Sequence, residues 1–431
     1  MNRVVITGVG PVSNIGTGKD EFWNNLISGK TNISKIDFEG YDMSQYRSKF
    51  AGLVNDFDFD GHFGKFPHRD QLGRTSKFAL VGTKYALDDA NISLKDVDSS
   101  KEKYTMDDID SDRASVILGV GGPIFDVIDE NFIGFIKHNG PCVFSRHMVA
   151  NISNASPPAH ITRTYDLHSD SHTVTAACAS TNLALIEAYQ RITLGLDDVI
   201  ISGGADAFIT PSSFGGFDRM RVLATNFSDD PNKAYRPFDK DRSGMILAES
   251  AGILVLESLD HALERGADIY CELLQGSSKS DGYHIYRPES SGKYMVKAMS
   301  NTLDINNLTP KDIDYINAHG SSTILNDSIE SKAIKEVFGK EAYNIPVSST
   351  KSMHAHSVGA SGGLEAIAVA LSIYNSKIPP TVNLDNPDYH RGCDLDYVPN
   401  VARDKEVNYA LSNSFGFGGI NSTLAFKKFE R

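Results

Sequence analysis

One stretch, HTVTAACASTNLALIEAYQRITLG at residues 172–195, joins a reactive side chain to the local structure that would activate it. Alternating β-formers run up to Cys178. Leu183, Ile186, Tyr189 or Gln190 and Ile192 then recur at helical spacing until Gly195 stops the run. Cys178 therefore belongs on a tight strand-to-helix turn. At a helix N-terminus the unpaired N–H groups and the dipole favour thiolate over thiol, the state a nucleophilic cysteine requires. Taken alone, Cys178 is also compatible with a small buried core residue.

Two histidines have similar surroundings. His319 ends the strand-like YINAH and is followed by GSST, so its ring should project from a strand end, where α/β sites collect. His356 lies in KSMHAHSVGASGG, a small-residue loop before a helix over Leu364–Tyr374. Each alone reads as a structural hydrogen-bonding residue, but a cysteine and two histidines at glycine- and serine-rich strand ends suit acyl transfer. A fourth element, NSFGFGGINS at residues 413–422, is either a tight turn or a place where backbone N–H groups approach a ligand as an oxyanion hole.

The elements that must position these residues are short apolar runs alternating with helical patterns: Arg3–Gly10, Ala114–Gly122, Val199–Gly204, Gly252–Glu257, Asp314–Gly320, Ile345–Ser349 and Tyr409–Ser412. That alternation implies an α/β protein with buried sheets. A strand leading to GVGG (Gly119–Gly122) is echoed by one leading to NAHGSS (Asn317–Ser322), and HTVTAACAST by IPVSSTKSMHAHSVGASGG. The echo suggests two related halves, 1–257 and 258–431, with a seam near Leu256–Leu259.

With 431 residues there is chain for two domain-sized cores. The 42 basic against 55 acidic residues leave a net charge of −13, which disfavours a nucleic-acid or anionic-lipid partner. Cys142, Cys178, Cys271 and Cys393 lack CxxC spacing, arguing against a zinc cage or disulfide framework and fitting a reducing cytoplasm. No run approaches the roughly 18 apolar residues of a membrane span, and the N-terminus reads as a first strand. Residues 95–113 read as a charged surface excursion; residues 62–77 hold the densest basic stretch.

At these motifs the sequence resembles the β-ketoacyl-acyl-carrier-protein synthases of the thiolase superfamily, specifically the KAS II branch and its polyketide relatives. The resemblance runs from RVVITGVGPVSNIG through TAACAS, RPFDKDRSG, NAHGSSTILND, SSTKSMHAHSVGASGG and PPTVNLDNPD to NSFGFGGINSTLAFKK. It implies a thiolase-like αβαβα fold and a decarboxylative Claisen condensation of an enzyme-bound acyl thioester with malonyl-carrier protein. Cys178 matches the nucleophile; His319 and His356 match the pair that binds the malonyl carbonyl and stabilises the enolate. Lys351 and Glu365 match a structural charged pair, and Asp327 and Glu330 match acidic framework positions. Phe417 matches the gate, its N–H forming the oxyanion hole with that of Cys178. Ser321 and Thr323 match hydroxyls that bond the phosphopantetheine arm. The resemblance implies no metal and no bound cofactor, the substrates being carried on phosphopantetheine.

An acidic acyl carrier protein makes Lys65, Arg69, Arg74, Arg219 and Arg221 candidate docking residues. SRHM, ADAFITP, DIDYINAHGSS and Ser357 look more like ketosynthase α subunits of type II polyketide synthases, whereas NSFGFGGINS is closer to the fatty-acid type. The reading leans to a polyketide or polyene pathway, as a homodimer or as a heterodimer with a cysteine-less chain-length factor. A housekeeping fatty-acid synthase is the alternative, and a noncatalytic chain-length partner another, disfavoured by Cys178, His319 and His356. His354-Ala355 in place of Thr-Gly adds a third imidazole near the site. Ile285-Tyr286-Arg287 and AESAG (Ala248–Gly252) also depart from the family. Val120 matches a position where a larger side chain often limits the acyl pocket. A dinucleotide-binding reading of RVVITGVG fails because Pro11 follows Gly10 and no third glycine is in place, and a thiolase would need a second cysteine.

Overall fold

The computed structural model describes residues 2–227 and 229–430. Ten strands form its principal sheet path: β1 Val4–Ser13, β2 Ala114–Gly119, β3 Ser171–Val174, β4 Val199–Ala207, β5 Leu247–Ser258, β6 Cys271–Ser280, β7 Tyr315–Asn317, β8 Val347–Ser348, β9 Tyr409–Gly416 and β10 Ile420–Lys427. Their spatial order is β8-β7-β9-β10-β6-β1-β5-β4-β2-β3. Read outward from the centre, each side gives the first, fifth, fourth, second and third strand of its half. The directions match too. On both sides the inner two pairings are antiparallel and the outer two parallel. The sequence echo is thus a duplication of topology. The halves join where Val4, Val5 and Ile6 pair antiparallel with Leu273, Glu272 and Cys271.

Six helices matter for the site: α1 Arg74–Asp89, α2 Phe125–His138, α3 Ser180–Thr193, α4 Lys293–Ile305, α5 Ile324–Phe338 and α6 Ser361–Asn375. The middle layer is α3 and α6. Ser361 to Ile373 of α6 are all buried, as expected for a helix covered on both sides. α3 touches β2 and β4 of one half and β6 and β10 of the other. α1 covers the outer face of the first half, and α4 with α5 that of the second, completing five αβαβα layers. The middle helix lies tightly on the sheet. A Cβ on Gly252 of β5 would come 2.3 Å from the Leu364 nitrogen, and one on Gly363 would come 2.3 Å from the Gly252 oxygen.

Two local readings gain detail. Residues 95–113, read as a charged surface excursion, carry most of a two-stranded hairpin, Leu94–Asp98 with Lys103–Met106, whose Met106 is turned into the core. NSFGFGGINS is a hairpin turn, since Phe415 and Gly416 still belong to β9 and Ile420 already to β10. Cys178 and His356 sit just before the two middle helices, at equivalent places of the two halves. His319 lies two residues beyond β7.

Candidate active site

Cys178 is held on a sharp elbow. Ala177 before it has φ +49°, a left-handed conformation that costs an L-residue energy and is kept by the surrounding packing. α3 starts two residues later, so the expected helix-terminus position is realised. Burial opposes the thiolate that the helix terminus favours. Burial pushes the Cys178 thiol up to about 11, outweighing the opposing influence of Lys351 and of the Phe417 N–H that donates to Sγ. The resting group is a thiol and needs a base at the moment of attack.

That base is in place. His356 Nε2 lies 3.2 Å from Cys178 Sγ. Its Nδ1 lies 2.8 Å from Ser361 Oγ, which also accepts the Ser357 N–H at 2.9 Å. Ser361 Oγ is 3.3 Å from Ser357 Oγ, which is 2.6 Å from Ser250 Oγ. This hydroxyl chain can accept from or donate to Nδ1, so it tolerates either tautomer of His356. The histidine backbone is pinned to β5 by His356 N–H to Ile246 O and Ala248 N–H to His356 O, both 2.9 Å.

His319 faces His356 edge-on with ring centroids 5.4 Å apart. The Lys351 ammonium lies 2.9 Å from the His319 carbonyl and 3.4 Å from Nδ1. An ammonium only donates, so Nδ1 accepts and Nε2 carries the proton. Burial first, then Lys351, holds both imidazoles well below the usual histidine range. Both rings beside the thiol are therefore neutral: His319 presents an Nε2–H donor, and His356 Nε2 accepts or donates according to its tautomer.

The supporting charges are fully buried. Lys351 is paired with Glu365. Glu330 accepts the His319 and Gly320 N–H groups, both at 2.8 Å, and burial pushes its carboxyl up to about 7. Asp327 accepts the Phe238 N–H at 2.8 Å and faces Arg242 at 3.5 Å. Spaced i and i+3 on α5, the two carboxylates clamp the loop that carries His319.

A cavity of about 420 Å³ leads from the surface to Cys178, His319 and His356. Ser321, Thr323 and Phe417 line it, as do Arg221, Tyr286 and Arg287. Ser321 Oγ and Thr323 Oγ1 are 3.0 Å apart, and Thr323 also caps α5. The departure at Ile285-Tyr286-Arg287 was the signal for this new lip.

Other expected residues fall elsewhere. Arg74 is removed from the docking set: its guanidinium bonds Glu249 at 2.7 and 2.6 Å and Val54 O at 2.8 Å, beneath Phe57 and Phe78. Lys65, Arg219 and Arg221 are exposed; Arg69 is half-buried, bonded to Gly64 O at 2.6 Å and facing Asp60 at 3.4 Å. His354 lines no part of the cavity. Its Nδ1 donates to Ala355 O at 2.9 Å and its Nε2 meets Thr350 Oγ1 at 3.1 Å, a satisfied structural role. Val120 packs with Ile124 and Val127 and does not line this cavity. Cys178 Sγ and the two histidine nitrogens lie within 4.8 Å of one another, which would suit a soft cation. The Lys351 ammonium beside His319 opposes one.

The sequence and the fold both have matches among known proteins. The β-ketoacyl synthase N-terminal domain matches residues 1–262 and the C-terminal domain residues 270–385. The 3-oxoacyl-[acyl-carrier-protein] synthase 2 of Synechocystis sp. is 38% identical over 99% of this chain and 98% of its own, and that of Staphylococcus aureus is 38% identical over 99% of each. Among solved structures, a type II PKS acyl-carrier protein in complex with its ketosynthase matches with TM-score 0.89 at 31% identity, covering 100% of both chains. A β-ketoacyl synthase from Burkholderia phymatum matches with TM-score 0.88 at 30% identity, again covering 100% of both. With both domains matched in order and relatives aligned end to end, the chain belongs to the β-ketoacyl synthase family of acyltransferases.

Proposed function

We propose that the protein is an elongating ketosynthase that condenses a Cys178-bound acyl group with malonyl-carrier protein, in a type II polyketide or polyene pathway. The observation that carries the chemistry is His356 Nε2 at 3.2 Å from Cys178 Sγ, with His319 beside them at the end of the cavity.

In the first half-reaction His356 Nε2 takes the thiol proton as sulfur attacks the incoming thioester carbonyl. The oxyanion is received by the N–H groups of Cys178 and Phe417. Collapse expels the pantetheine thiolate, which recovers the proton from His356. In the second, the malonyl thioester oxygen accepts N–H bonds from His319 and His356. The bond to the carboxylate breaks, carbon dioxide leaves, and its electron pair becomes the enolate. The enolate carbon attacks the acyl-enzyme and Cys178 leaves, taking up a proton. His356 must accept in one step and donate in the other, which the serine hydroxyls at Nδ1 permit. Ser321 and Thr323 bond the pantetheine arm along the cavity.

The acyl carrier protein is the proposed partner, supported by the structural neighbour that is a ketosynthase complexed with one. Exposed Arg221 at the mouth, with Lys65, Arg69 and Arg219, supplies local positive charge on an acidic protein. A second copy or a cysteine-less homologue is the proposed subunit partner. β3 is an uncapped sheet edge, and α2 with the short helix Met148–Asn151 exposes Phe132, Ile136 and Val149. A ketosynthase/chain length factor is among the similar structures, at 31% identity and TM-score 0.87. Among the described residues no helix is long and apolar enough to cross a membrane. A housekeeping fatty-acid role stands as the second reading, supported by the names of the 38%-identical relatives.

The test is condensation in vitro with acyl- and malonyl-carrier protein. Formation of β-ketoacyl-carrier protein with release of carbon dioxide supports the reading; failure to acylate Cys178 from any carrier-bound acyl group overturns it.

A further inference from the structure

Cys178 and His356 come from opposite halves, so the 3.2 Å between Sγ and Nε2 depends on how one half is held against the other. This inference rests on the ketosynthase reading. The backbone around His356 is strained: Ala355 has φ +58° and Val358 φ +50°, a left-handed conformation that a β-branched residue keeps only where its surroundings impose it. The next peptide, Gly359–Ala360, is gripped at both ends by residues of the first half. Thr181 Oγ1, on α3 just after Cys178, donates to Gly359 O. The Ala360 N–H, shared with Ser357 O at 3.1 Å, donates to Asp206 Oδ2 at 3.0 Å. Asp206, on β4, also accepts the Gly121 N–H, 3.0 Å from each of its oxygens.

We propose that Thr181 and Asp206 are positioning residues for the acyl transfer: by holding the two ends of the Gly359–Ala360 peptide, they set His356 Nε2 against the Cys178 thiol. The grip is built into the packing, and both side chains are buried. Gly204 lies on the same face of β4 as Asp206 and leaves room for the threonine, since a Cβ there would lie 2.1 Å from Thr181 Oγ1. Gly121 and Gly359 meet over the carboxylate: a Cβ on Gly359 would come 2.5 Å from the Gly121 nitrogen and 2.7 Å from Asp206 Oδ2. Among the described residues no cation pairs with Asp206, so its oxygens are spent on the backbone N–H groups of two loops, one from each half.

The grip bears on the chemistry because a base acts only within hydrogen-bond reach of the proton it takes, and a misplacement of about 1 Å can cost on the order of a hundredfold in rate. Only Ser357 and Val358 separate His356 from the gripped peptide, so a shift of that peptide passes to the imidazole with little slack. Ser361, whose Oγ lies 2.8 Å from His356 Nδ1, follows Ala360 directly, so the same peptide also places the support of the ring. Neither Thr181 nor Asp206 lines the cavity; both act through His356.

The experiment gives the full-length enzyme octanoyl-carrier protein and reads the rate of Cys178 adduct formation by intact mass at pH 7 and pH 10, beside alkylation of the same thiol by iodoacetamide, which needs no base. Two variants disturb the grip: Thr181→Val keeps the branched shape and removes the hydroxyl, and Asp206→Asn turns an amide donor toward N–H donors. In each, acylation at pH 7 is expected to fall about tenfold or more. At pH 10, where the thiol ionises without His356, acylation and alkylation are both expected within about threefold of the unaltered enzyme. Thr181→Ser, which keeps the hydroxyl, is expected to restore acylation at pH 7 to within about threefold. Acylation at pH 7 within about threefold of normal in both Thr181→Val and Asp206→Asn overturns the proposal, as does an equal loss at the two pH values, the mark of a structural defect alone. If one variant does not fold, the other decides; if neither does, Thr181→Ala is read by the same criteria. Absence of any adduct in the unaltered enzyme defeats the ketosynthase reading instead.

Discussion

His356 Nε2 lies 3.2 Å from Cys178 Sγ, and the two residues stand at equivalent positions of a duplicated fold, each just before a buried central helix. Nucleophile and base come from opposite halves, so the reacting pair exists only when the halves pack together.

Replacing Cys178 by Ala should abolish acyl transfer, a loss on the order of 10³-fold or more, because no other group takes the acyl chain. Replacing it by Gln should abolish acylation yet leave malonyl decarboxylation at or above its normal rate, since His319 and His356 remain. Product analysis by mass and carbon dioxide release reads both. Complete loss of decarboxylation in Cys178→Gln would contradict the two-histidine assignment.

The thiol, pushed up to about 11 by burial, sets a pH signature. Alkylation by iodoacetamide, which needs the thiolate, should keep rising through pH 9 instead of levelling near the ordinary cysteine value. Acylation by substrate should proceed at neutral pH because His356 removes the proton. In His356→Ala, acylation should fall at pH 7 and partly recover near pH 10. A levelling of alkylation below pH 8 would show that the resting residue is a thiolate.

Ser361 supports His356 without touching substrate, as a positioning residue. Ser361→Ala strands both Nδ1 and the Ser357 N–H in a buried site, an expected cost of about 1–3 kcal/mol. Acylation and decarboxylation should both fall, with partial recovery in Ser361→Thr. A structural role alone would lower the melting temperature and leave the pH profile of acylation unmoved.

Lys351→Ala removes the cation from a fully buried pair and leaves Glu365 uncompensated, which is expected to cost about 3–5 kcal/mol in a denaturation midpoint. Lys351→Met, similar in length, should recover stability only in part and should still impair decarboxylation, because His319 loses the donor that fixes its tautomer.

Burial raises Glu330 from an ordinary 4.5 to about 7, so between those values the folded chain holds a proton that the unfolded chain has released. Unfolding free energy should therefore decline as pH rises from 4.5 to 7, by at most about 1.4 kcal/mol per pH unit for this group. Glu330→Gln should flatten that slope in chemical denaturation measured at pH 5 and pH 7. An identical slope in the variant would exclude Glu330 as its source.

The reactive residue types, their local elements and the order of their motifs were present in the linear chain, because hydrophobic period and glycine placement act over a few residues. Cys178 could be put on its turn and His319 at its strand end from spacing alone, and the two-half organisation from echoed motifs. The charge state of Cys178 could not, because burial beneath both halves overrides the helix terminus. Nor could the fates of Arg74 and His354, which depend on Glu249 and Thr350, or the serine chain behind His356, where Ser250 and Ser357 lie 107 residues apart. Electrostatics and packing sum over neighbours in space, and those neighbours are chosen by the closure of the sheet.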